Sequence, residues 1–124
     1  MYTIPFQITD WQNVPLTEHA GETGKALWRT KHHGDLRIRQ VEYSPGYLAD
    51  HWCETGHLLF CLEGELEVKL ADGSVALLTA GMSYEVSDRL SSHKSHSSKG
   101  AKLLIVDGGF LRNHSRPALN PFRI

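Results

Sequence analysis

Turn signals recur along this chain at intervals too short for helices of any length. That spacing constrains the fold more than any other feature. Asp72-Gly73 separates "ELEVKL" from "VALLT". Both positions tolerate positive φ, so the pair predicts a tight hairpin. In "ELEVKL", Leu66, Val68 and Leu70 alternate with charged neighbours, the period of a strand with one buried face. Gly34-Asp35 and Pro45-Gly46 bracket another alternating stretch, and Ala80-Gly81 precedes "MSYEV". No window carries a helical apolar stripe. Many short strands divided by Gly-rich turns predict an all-β sandwich or barrel.

The first hairpin is expected to pair residues 26–30 with Leu36–Tyr43. Within its second strand Leu36 and Ile38 alternate. Val41 and Tyr43 then resume one residue out of step, which reads as a bulge. "AKLLIVD" has the pattern of a buried strand, and a strand is expected to open at His93 after the loop "SDRLSS". The barrel core is placed at about 26–107, within one domain spanning 1–124. Arms cover 1–25, with one short edge strand, and 108–124. The second arm carries Phe110, Leu111, Leu119 and Phe122. Edge strands need cover, and two arms of this kind predict a homodimer.

Charge narrows the range of partners. Net charge is −1 and the basic residues are scattered, so the electrostatic footprint of a nucleic-acid or membrane-surface binder is missing. No apolar run approaches the roughly 18 residues of a membrane span. The start "MYTIPFQITDW" lacks the basic and apolar regions of a secretory leader, so a cytoplasmic location is expected. The two cysteines then read as thiols or ligands rather than a disulfide.

"PGYLADHWCETGHLLFCLEGELEV" stands out against this background. Alternation on a strand would put His51 and Cys53 on one face. Glu54-Thr55-Gly56 can turn the chain, and His57 would begin the next strand. Imidazole and thiolate are the usual protein donors to zinc, iron and copper. A fourth donor must come from elsewhere, and His93 is the candidate.

The spacing His51-x-Cys53-x3-His57-x6-Gly64 resembles the first motif of the cupin superfamily, which has His where Cys53 stands and Glu where His57 stands. Residues 64–95 resemble the intermotif hairpin and the second motif, with His93 at the second-motif histidine and Tyr84 as the rival register. The Pro and Gly of that second motif are missing here. "ADHWC" resembles the Asp-His-Trp-Cys signature of a group of small bacterial cupins. The resemblance covers roughly residues 35–107. It implies a double-stranded β-helix, or jelly roll, with a metal in its mouth. By position His51, His57 and His93 would be ligands, and Cys53 a fourth. A thiolate in place of a carboxylate shifts the metal towards zinc, iron or copper and away from manganese.

The other polar residues have plainer expectations. Cys61 alternates with Leu59 and reads as core. His32, His33 and His96 are expected in solvated turns, and Trp52 points away from His51. Tyr47 and Tyr84 could bring hydroxyls to a pocket, and Glu54, beside Asp50, could orient a ligand histidine or act as a base. No dedicated arginine clamp is evident, although Arg37, Arg39 and Arg89 are within conceivable reach. Three readings of function stay open: a metalloenzyme of dioxygenase or isomerase type acting on a small molecule, a non-catalytic binding or sensor module for a small ligand or the metal, and an interaction protein with a structural metal.

Overall fold

A computed structural model describes residues 3–113. The expected arm beyond Asn113 lies outside the described residues. Among those described are nine strands: β1 (Leu16–Ala20), β2 (Lys25–His33), β3 (Leu36–Tyr43), β4 (Tyr47–Leu48), β5 (His57–Leu70), β6 (Val75–Thr79), β7 (Ser83–Val86), β8 (His93–Ser97) and β9 (Ala101–Asp107). All pairings are antiparallel, along the path β1-β2-β3-β9-β5-β8-β4, with β6 and β7 both pairing with β5. The result is an all-β curled sheet, the class expected from the turn spacing and consistent with the jelly roll that the cupin resemblance implies. The short edge strand expected in the N-terminal arm is β1.

β5 explains how distant parts of the chain converge. His57–Phe60 pairs with β7, and Leu58–Gly64 with β9; Glu65–Lys69 pairs with β6 and Glu67–Leu70 with β8. The strand therefore changes sheets near its middle. The corner is made by a register shift between Cys61 and Glu63 and by Gly64 at φ 81°. A Cβ at Gly64 would run into the Gly100 carbonyl, so glycine is required on two counts. Leu70, at the far end of β5, pairs with His93. The bend thus returns β8 to the end of the barrel where β5 began, and His93 lands beside His57.

The core joins Val41 and Tyr43 of β3, Leu59, Cys61, Leu66 and Val68 of β5, Leu78 of β6, and Ala101, Leu103 and Ile105 of β9. Each large aliphatic among them contributes roughly 1.5–3 kcal/mol by burial. Cys61 is core, as expected. Three local expectations change. β2 runs on to His33, which is buried rather than solvated. His96 bonds Glu67 at 3.1 Å from within β8. β3 has no bulge: its register with β2 is unbroken from Leu36 to Tyr43. Its inward residues are Arg39, Val41 and Tyr43. The apparent slip was an arginine standing in the apolar series.

Candidate metal centre

The segment between β4 and β5 is not the strand its alternation suggested. Cys53 alone makes an isolated bridge, with two backbone bonds to His93: Cys53 N–H to the His93 carbonyl at 2.8 Å, and His93 N–H to the Cys53 carbonyl at 3.0 Å. This fixes the two side chains as neighbours. Gly56 N–H donates to Asp88 Oδ1 at 2.7 Å, and a Cβ at Gly56 would strike the Val86 carbonyl. That close approach delivers His57 into the barrel at the head of β5.

Cys53, His57 and His93 bring one donor atom each within 4.8 Å of one another. Cys53 Sγ lies 3.8 Å from His57 Nε2, and the two imidazoles meet edge to face at 5.2 Å between centroids. Both imidazole tautomers are set from behind. His57 Nδ1 is 3.0 Å from Asp107 Oδ2, and His93 Nδ1 is 3.0 Å from the Ser91 carbonyl. A carbonyl and an ionised carboxylate only accept, so both Nδ1 atoms carry hydrogen. Each neutral ring then presents the Nε2 lone pair to the cluster. His93 Nε2 is buried and has no hydrogen-bond partner among the described residues, an arrangement that is costly unless something electrophilic meets it. Two imidazole lone pairs and a thiol are borderline-to-soft donors that suit zinc, iron or copper. The carboxylate behind His57 is the usual outer partner of a metal-bound histidine.

Asp107 is the hub of the wall behind His57. Arg37 grips it through Nε to Oδ1 at 2.9 Å and Nη2 to Oδ2 at 3.0 Å, and Arg39 Nη2 reaches Oδ2 at 3.1 Å. Burial works against its charge, but the bonds from His57 and Arg37 and the charge of Arg39 hold the carboxyl well below its usual range. Burial disfavours a charged His57, yet Asp107 and Cys53 together raise its pKa. Burial likewise opposes a Cys53 thiolate, but the bond from His57 and the Thr55 backbone N–H outweigh it and lower the thiol to about 5. Without a metal, the proton between sulfur and imidazole therefore sits on the imidazole.

A cavity of about 220 Å³ opens beside the cluster. Trp28, Arg37, Arg39, Tyr43, Tyr47 and Tyr84 line it, with Leu59 and Ile105 below. Burial pushes the Tyr43, Tyr47 and Tyr84 phenols upwards, so each stays a neutral donor. A larger hollow of about 350 Å³ lies on the outer sheet face. It adjoins none of the three clustered donors.

The expected site residues fall into two groups. Cys53, His57 and His93 meet, while Tyr47 and Tyr84 line the cavity. His51 stands on the cavity rim, 73% exposed at its side chain, with Nδ1 2.7 Å from Asp50 Oδ1. Glu54 is exposed and offers only its backbone carbonyl, to Arg89 N–H at 2.8 Å. Trp52 is half exposed and does not line the cavity. The reading from sequence missed Asp107 altogether and gave Arg37 and Arg39 no definite place. The signal was present. Ala101, Leu103, Ile105 and Asp107 share one phase of β9, and Arg37 and Arg39 share the phase of Val41 and Tyr43.

No family model matches the chain, and no curated protein sequence does. Solved structures do. An RmlC-like cupin from Shewanella frigidimarina superposes with a TM-score of 0.69 at 18% identity, covering 84% of this chain and 91% of its own. A predicted oxalate decarboxylase from Thermotoga maritima gives 0.71 at 12% identity, covering 82% and 98%. Fe(II)-HppE crystallised with the alternative substrate (S)-1-HPP gives 0.67 at 20% identity, covering 82% of this chain and 60% of its own. At these identities the likeness is one of fold, and the fold is that of the cupins.

Proposed function

We propose that this chain is a small metal-binding cupin in which Cys53, His57 and His93 hold one divalent transition metal beside a small-molecule cavity, and that it works as a metalloenzyme. The carrying observation is the orphaned His93 Nε2, buried and aimed at a second imidazole and a thiol. Three protein donors, unlike four, leave a coordination position free, the mark of a catalytic rather than a structural ion. Iron, zinc and copper fit this donor set better than manganese. Such an ion would supply Lewis-acid polarisation or, if redox-active, dioxygen chemistry. The reaction classes this supports are isomerase and dioxygenase.

The chain's own groups have separate tasks in this reading. Asp107 keeps Nδ1 of His57 protonated and the ring oriented. Trp28, Leu59 and Ile105 exclude water from the cavity wall. Tyr84 stays neutral and donates a hydrogen bond to whatever enters, while the buried Tyr43 hydroxyl is held by Ser95. Loading displaces the proton shared by Cys53 and His57, so it releases acid.

The Asp-His-Trp-Cys run at residues 50–53 supports placement with the small cupins whose signature it resembles. Both cysteines are free thiols, which suits a reducing cytoplasm. Among the described residues no helix is long and apolar enough to cross a membrane. A homodimer is supported by exposed Phe60 and Leu62 on β5, Met82 in the turn between β6 and β7, and Phe6 on the arm; light scattering would return twice the 13.9 kDa chain mass.

Metal analysis with X-ray absorption tests the main reading. The expected result is one ion per chain, with a sulfur scatterer alongside nitrogen, and loss of the ion in His93→Ala. Protein that takes up no iron, zinc or copper after reconstitution would end the proposal.

A further inference from the structure

Arg39 is an unusual residue to find on the inner face of a strand. It is 5% exposed, close to the exposure of the leucines around it. Its guanidinium lies over Trp28, with Cζ 4.4 Å from the ring centroid. Its single hydrogen bond among the described residues runs from Nη2 to Asp107 Oδ2. That oxygen is already shared with Arg37 and His57. Arg39 Nε–H is buried without a partner among the described residues. A guanidinium carries five N–H donors, so most of this one's capacity is unspent in a nearly dry site. Buried charges of this kind are normally paired.

The local charge balance points the same way. Arg37 and Arg39 face the cavity, and Asp107 neutralises only one of them. The cavity wall therefore carries excess positive charge. The remaining lining is aromatic or aliphatic: Tyr43, Tyr47, Tyr84, Ala49, Leu59 and Ile105. Such a wall suits an acid with a compact carbon body better than a fully polar ion such as inorganic phosphate.

We infer that Arg39 is the anchor of a carboxylate subsite, and that the small molecule taken into this cavity is an organic acid whose carboxylate accepts the free N–H groups of Arg39. This rests on the cavity assigned above and names its substrate class. Arg39 and His57 donate to the same oxygen of Asp107. The carboxylate is thereby held one residue away from the candidate metal, and the carbon body extends towards Cys53, His57 and His93. Trp28 stacks on the guanidinium and fixes its plane, which the planar carboxylate needs for two-point recognition.

The test titrates the wild-type protein, metal-free and zinc-loaded, with propionate, succinate and benzoate. Propionamide is the neutral control and inorganic phosphate the non-carboxylate anion. Binding is read from the thermal midpoint and from the NMR cross-peak of the Arg39 Nε–H. At least one carboxylate should move that cross-peak and raise the midpoint at millimolar concentration, while propionamide and phosphate do neither. In Arg39→Gln the carboxylate affinity should fall about 10- to 100-fold, the range for hydrogen bonds to a charged group. The wild-type cross-peak gives the answer even if the variant does not fold. An unmoved cross-peak with all three acids, equal affinity in Arg39→Gln, or a response to phosphate alone overturns the inference. The metal reading is judged separately. An Arg39 response in protein that binds no metal leaves the subsite standing and the metal proposal fallen; metal loading with a silent Arg39 does the reverse.

Discussion

Two regions of the barrel interior are equally dry and chemically opposite. Around the β5 corner, Cys61, Leu66, Leu78 and Leu103 are between 0% and 3% exposed. At the mouth, Arg39, His57, His93 and Asp107 are between 4% and 6% exposed. Burial alone does not tell a core from a site. What differs is how the groups are satisfied. The corner is held by packing, and its polar groups are satisfied in place: the Cys61 thiol lies against the Glu63 and Gly64 carbonyls, and the buried Ser97 hydroxyl donates to the Glu65 carbonyl. The mouth is held by a carboxylate gripped by two arginines and a histidine, and it leaves His93 Nε2 and Arg39 Nε unpaired. Those two unpaired groups are what distinguishes the mouth from the corner, and they are the atoms that the proposed metal and carboxylate would meet.

The contrast breaks first at Asp107. Asp107→Ala leaves Arg39 buried with no counter-charge and frees the back of His57. Removing one partner of a buried pair costs about 3–5 kcal/mol, and losing an outer hydrogen bond lowers metal affinity by about 10- to 100-fold. Urea unfolding of the metal-free protein and a metal titration measure the two effects. If both stay near wild type, the arginine cluster is decoration and the mouth is not organised as described. The matched change at the corner is Leu66→Ala, which should cost about 3 kcal/mol through its cavity. Metal affinity should move less than about threefold, because sites sharing no partners are nearly independent. A parallel fall in metal affinity would mean that the two regions are one cooperative unit.

The two regions also differed in how they could be read from the chain. The corner was legible because alternation and turns suffice for it: Leu66, Val68 and Leu70 around Asp72-Gly73 announced the β5–β6 hairpin. The rule that polar residues face water fails at the mouth by design. Arg39 broke the apolar rhythm of β3 and produced a false bulge, and Asp107 at the end of β9 passed for a strand terminus. His57 and His93 were found by spacing and residue type, which survive folding. Their tautomers, set by Asp107 and the Ser91 carbonyl, depend on contacts spanning the whole fold and have no local signature. His51 shows the converse failure. The period-two argument needs a strand, and residues 49–52 do not form one.

The two cysteines sharpen the comparison next. In metal-free protein the Cys53 thiol, lowered to about 5, is almost fully ionised at neutrality. Cys61 is buried, and burial raises its pKa. Iodoacetamide should therefore label Cys53 alone. The rate should climb through pH 5 and flatten by about pH 7, since the reactive form is the thiolate. A thiol at its ordinary value of 9.0 would still be gaining rate there. One bound metal ion should suppress the reaction at least about tenfold. Equal labelling of both cysteines would remove the chemical distinction between mouth and corner.

The smallest expected effect is the most selective. His51 belongs to the first-motif spacing, yet its ring is largely in solvent and tied to Asp50. An exposed pair of this kind is screened by solvent and contributes little. With Cys53, His57 and His93 carrying the ion, His51→Ala should change metal affinity less than about threefold and leave stability within about 0.5 kcal/mol. His57→Ala in the same background removes a donor directly and should abolish tight binding. A loss of binding in His51→Ala as deep as that in His57→Ala would show that the rim turns inward on loading. The boundary between mouth and solvent would then lie outside Asp50 rather than inside it. Such a result would restore the four-donor set implied by the motif spacing and close the coordination position that the catalytic reading requires.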